Sequence, residues 1–137
     1  MKTKFLIALL TILTLNSCFV FDNDSDKIIG NYEVSWIDTP KTRAVCERFS
    51  STGCSVLVSE YVYAVGHNSE FIIVKQHPTS GFENNYEIDT TKTNYFILDI
   101  REESKVIGPM TRLDFDKKVL ELNISNIAFD QIYPKNL

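Results

Sequence analysis

The chain has 137 residues, 44% of them hydrophobic, with 14 basic and 18 acidic side chains. That length suits one domain and is short for two. The apolar content and 12% aromatics exclude a disordered chain, and five Gly with four Pro exclude collagen-like or low-complexity sequence. A formal charge of −4 argues against nucleic acid as a partner, since such binders carry a basic patch.

Lys2 and Lys4 precede an apolar stretch from Phe5 to Leu15, interrupted only by Thr11 and Thr14. Eleven helical residues reach about 17 Å, short of a bilayer core of roughly 30 Å. The stretch also lacks the polar face of a surface helix. A basic start, a short apolar middle and a small residue before a break predict a secretory signal peptide. The break reads Leu15-Asn16-Ser17-Cys18. Here the sequence resembles bacterial lipoprotein precursors, in which an aliphatic, a variable and a small residue precede the lipidated cysteine (the lipobox of a type II signal peptide). The resemblance implies cleavage between Ser17 and Cys18 and a thioether-linked diacylglyceryl group on Cys18. It implies palmitate-class acyl chains, a membrane anchor, and a domain outside the cytoplasm in the bacterial cell envelope (at the outer membrane in a Gram-negative cell).

The expected organisation is a signal peptide over 1–17, a lipidated N-terminus and acidic tether over 18–27, and a single domain over 28–137. Removing residues 1–17 leaves 12 basic and 18 acidic groups, a formal charge of −6. Asp22, Asp24 and Asp26 lie among Asn and Ser, a composition poorly suited to folding alone.

Cys46 and Cys54 remain as a pair. Ser50-Ser51-Thr52-Gly53 between them can reverse the chain, and an oxidising compartment favours a disulfide. The spacing is not C-x-x-C, which weakens a redox reading. A metal site would need His67 and His77, which the pattern puts at opposite ends of a strand, some 30 Å apart when extended. No metal or cofactor is expected.

Tyr32, Val34 and Trp36 alternate with Glu33 and Ser35, predicting a strand ended by Thr39-Pro40. The run from Ser55 to Val65, a turn at Gly66-His67-Asn68-Ser69, and Phe71-Ile72-Ile73-Val74 predict a hairpin of central strands. A weaker strand is expected at Tyr86 to Ile88, a polar turn at Asp89 to Asn94 and a strand from Tyr95 to Ile100. Gly108-Pro109 reads as a loop. Thr111 with Asp114 three residues later resembles a capping box, and Phe115, Val119 and Leu122 share a helical face. The expected fold is α+β: an antiparallel sheet of four to five strands with one helix in the C-terminal half packed on it.

The order of parts also resembles a family of small bacterial lipoproteins carrying a domain of unknown function. The likeness lies in Tyr61-Val62-Tyr63-Ala64-Val65-Gly66 leading into Phe71-Ile72-Ile73-Val74, in Tyr95-Phe96-Ile97-Leu98-Asp99, and in Ile107-Gly108-Pro109-Met110-Thr111 with Phe115. It implies fold and location and no activity.

No G-x-S-x-G, P-loop, dinucleotide glycine pattern or H-E-x-x-H is present. Glu102 and Glu103 read as a solvated loop, and His67 and His77 as surface turn residues. Trp36, Tyr61, Tyr63, Phe71 and Tyr95 read as core rather than a ligand platform. The expected function is a non-catalytic binding or envelope-maintenance module, in one version an immunity or inhibitor lipoprotein with a protein partner. The alternative is a small hydrolase or carbohydrate-active protein using Asp and Glu.

Overall fold

Phe71-Ile72-Ile73-Val74 is buried throughout, and a strand apolar on both faces needs cover on both. Ile72 and Val74 face one core and Phe71 and Ile73 another. The fold follows from that requirement. A computed structural model describes residues 24–37, 39–80 and 87–134. Its strands, in chain order, are β1 Asp24–Ile29, β2 Tyr32–Trp36, β3 Ala44–Arg48, β4 Cys54–Val58, β5 Val62–His67, β6 Phe71–Gln76, β7 Thr79–Ser80, β8 Glu87–Ile88, β9 Asn94–Asp99, β10 Lys105–Met110 and β11 Gln131–Ile132. Among the described residues one α-helix, α1, spans Arg112–Glu121.

Strands β1-β2-β3-β4 form one sheet in that order, β10-β9-β6-β5-β11 a second, and β7-β8 a small pair. Every pairing is antiparallel. Val34 and Val45 of the first sheet meet Val65, Ile72 and Leu98 of the second in one core. On the opposite face of the second sheet, Ile73, Tyr95 and Ile97 pack against Phe115 of α1 and Ile124 beyond it. The result is a three-layer stack: sheet, sheet, then a helix with the C-terminal segment.

The expected α+β class is therefore corrected to a mainly β fold. A single sheet with a helix on it describes only the second sheet, because strands β1 to β4 build a separate one. Asp24, Ser25, Asp26 and Lys27, assigned to the tether, are the first residues of β1, while residues 18–23 lie outside those described. β1 is an edge strand: Asp24, Asp26 and Lys27 face solvent and Ile28 alone is buried. A polar edge strand has no periodic apolar signal to read. Gly108-Pro109, expected as a loop, lies inside β10. The ladder to β9 breaks there between Ile107 and Met110, which an edge strand tolerates.

The hairpin of β5 and β6 turns through residues 68–70, with Asn68 Oδ1 accepting from the backbone N–H groups of Glu70 and Phe71, both at 2.8 Å. The helix starts as its cap predicts: the Thr111 hydroxyl accepts from Asp114 N at 3.2 Å.

Candidate functional site

Alternation along β2 and β3 sends Val34 and Val45 inward, so their neighbours Glu33 and Cys46, paired in register, lie on the outer face of the first sheet. The β3–β4 turn brings Cys54 opposite Arg48, one diagonal step from Cys46. The Gly53 carbonyl closes this turn by accepting from Phe49 N at 3.2 Å and Ser50 N at 3.3 Å. Cys46 and Cys54 form a disulfide with Cα atoms 5.8 Å apart, within the ordinary range for a bridge.

Glu33 is buried on this face, and burying a carboxylate demands a partner. Arg48 supplies it through two bonds, Nε to Oε2 at 3.0 Å and Nη2 to Oε1. Arg48 Nη1 also donates to the Ser51 carbonyl at 3.1 Å, tying the ion pair to the disulfide turn. The hydrogen bond to Glu33 raises the Arg48 pKa above its usual value. The Glu33 carboxylate and both sulfurs fall within 4.8 Å of one another. With the sulfurs joined and the carboxylate held by Arg48, this set offers no thiolate for a metal.

Beside the disulfide lies a groove of about 320 Å³, lined by Trp36, Ile37, Ala44 and Val56, floored by the two cysteines and bordered by Glu60. Ile37 is 59% exposed and Val56 61%. Thr42 fixes Ile37 from the Pro40–Thr42 turn, its hydroxyl accepting from Ile37 N at 3.1 Å and donating to Ile37 O at 2.8 Å. The lining is predominantly apolar, suited to excluding water from an apolar surface rather than to moving protons.

The other sequence-derived candidates are dispersed. Ser17 and Cys18 lie outside the described residues. His67 is exposed at the end of β5. His77, expected at the surface, is only 2% exposed: its Nδ1–H donates to the Lys92 carbonyl at 2.7 Å and its ring stacks on Tyr63 at 4.2 Å. A histidine preceding Pro78 looks like a turn residue until the β8–β9 connection, carrying Lys92, is folded over it. The turn at residues 68–70 also shortens the expected histidine separation to one six-residue strand, roughly 20 Å. Tyr61, Phe71 and Tyr95 are buried, while Trp36 and Tyr63 are half-buried. The Tyr63 hydroxyl shares a 2.7 Å hydrogen bond with Thr93, and burial raises its pKa. Glu102 and Glu103 are exposed beyond β9.

The reading of the residues missed Glu33 and Val56. Glu33 looked like the solvated half of an alternating strand, and Val56 sat in an apolar run that resembled core. The available signal was the pair of cysteines, which makes β3 and β4 a hairpin and places Val56 opposite Cys46 on the outer face.

Fold and face together define a small disulfide-stapled β protein with an apolar groove on an open sheet. The chain matches DUF3997, a family described as proteins of unknown function, over residues 20–133, and it belongs to that family. No curated protein and no solved structure matches it.

Proposed function

We propose that this chain is a lipid-anchored binding module of the bacterial cell envelope, held outside the cytoplasm by acyl chains on Cys18 after cleavage behind Ser17. The observation that carries the reading is the Cys46–Cys54 bridge, a bond that persists in oxidising compartments and agrees with the export address of residues 1–17. Two or more acyl chains give a stable anchor where one gives a marginal one.

Binding is favoured over hydrolysis by the state of the carboxylates. Glu33 and Asp99, the buried acids among the described residues, are each clamped by an arginine, Arg48 and Arg101. Arg101 also lowers the Asp99 pKa, which makes that acid a poor proton donor. The charge of −6 on the mature chain steers it toward a basic protein partner in the envelope, as an immunity or inhibitor protein would require.

Metabolic labelling with an alkynyl palmitate tests the anchor. The natural chain is expected to carry label and fractionate with membranes, and Cys18→Ser to lose both. Label retained by Cys18→Ser overturns the assignment.

A further inference from the structure

We infer that the groove at the Trp36 end of the first sheet seats on the surface of the bilayer that holds Cys18, so that this face of the domain lies against the lipid. The inference rests on the lipid-anchor reading above and adds an orientation to it.

Position comes first. Asp24 pairs with Trp36, so the chain enters the fold at the end of the sheet that carries the groove. Five residues lie between Cys18 and Asp24, and six steps of at most about 3.6 Å each put the anchor within about 22 Å of that end whatever its path.

Chemistry agrees with position. Ile37 and Val56 project from the domain more than half exposed, next to Trp36, a residue type that favours the boundary between headgroups and acyl chains. Lys41 is exposed on the adjoining Pro40–Thr42 turn, where its stem can follow apolar surface while the ammonium reaches phosphate. Glu60 and Asp24 border the same region, which limits the contact to headgroup depth and favours zwitterionic over anionic lipid. The disulfide floor keeps the face rigid. A patch this small binds lipid weakly from solution, but an anchor within reach makes the contact intramolecular, and the high effective concentration lets a shallow surface suffice.

Trp36 is the only tryptophan of the chain and is among the residues that line the groove. The full protein purified from membranes, with Cys18 acylation verified by mass, would be placed in phosphatidylcholine vesicles brominated at successive acyl depths. Trp36 emission is expected to shift to the blue relative to Cys18→Ser in solution, with quenching strongest for the shallowest bromines. The double substitution Ile37→Ser and Val56→Ser, at exposed positions that the fold does not need, is expected to remove most of the quenching. Acylated protein whose Trp36 is unquenched overturns this inference and leaves the anchor standing. Lipid-free Cys18→Ser emitting at the same wavelength as the acylated protein in vesicles overturns it in favour of a groove filled by Phe19-Val20-Phe21, and emission that moves with protein concentration without lipid does so in favour of a second copy. A chain without acyl mass on Cys18 overturns the anchor reading and takes this inference with it.

Discussion

The carbonyl oxygen of Ala128 occupies the place a side chain would need on residue 66: a Cβ built on Gly66 would stand 1.9 Å from it. The contact is backbone against backbone, so neither side can swing away. It allows the segment leading into β11 to lie directly on β5, where Gln131 pairs with Val65 and Ile132 with Ala64. Gly66→Ala is therefore expected to push this segment off the sheet and cost about 3 kcal/mol, the upper range for overpacking. Urea unfolding would measure it, and a variant within a few tenths of a kcal/mol of the natural chain would show that the segment moves freely.

The same position shows how far the sequence could be read. Gly66 looked like the start of a hairpin turn, because the apolar strands Tyr61 to Val65 and Phe71 to Val74 flank it. The strands were legible from their residues, but the partner that explains the glycine lies 62 positions away. β1 was hidden differently: its residues are polar because it is an edge. Its one local signal was Gly30-Asn31 between Ile29 and Tyr32, a two-residue turn with Gly30 at φ 58°, and that turn closes the β1–β2 hairpin. The helix was legible through its cap, since Thr111 and Asp114 interact locally. The groove was not, because an exposed Val56 and a buried Val58 belong to the same apolar run and differ only in which sheet face they reach.

Reducing the Cys46–Cys54 bridge frees a short loop, and in the chain-entropy account its loss costs roughly 2.5 kcal/mol. The expected effect of dithiothreitol, or of replacing both cysteines by Ala, is a lower urea midpoint with an unchanged slope, because the hairpin ladder of β3 and β4 persists. The groove floor would loosen at the same time. Trp36 emission in the folded protein should then move to the red as water gains access, and an unchanged spectrum would show that the sulfurs do not shape the groove.

Acid should weaken the fold through two carboxyls. The Thr91 hydroxyl and then Lys92 hold Asp89 down to about 2, and the Arg101 guanidinium lowers Asp99 against the opposing effect of burial. Both folded-state values lie below the unfolded Asp value of about 3.9. Each group therefore contributes stability that is fully present above that value and is lost as pH falls through its folded pKa. Thermal unfolding followed from pH 6 to pH 2 should show a falling midpoint over the acid end, with a shallower fall in Asp89→Asn and Asp99→Asn. Identical slopes in all three would exclude these groups as the source.

Arg48 and Glu33 give a sharper test, because they are unequally exposed. Arg48 is 38% exposed at its side chain and Glu33 11%, so removing the arginine strands a buried charge while removing both strands none. Arg48→Ala is expected to be less stable than the double variant Glu33→Gln with Arg48→Ala, although it carries one substitution fewer. Urea midpoints of the three proteins would decide it. If Arg48→Ala and the double variant unfold together, water rather than Arg48 satisfies Glu33 on this face.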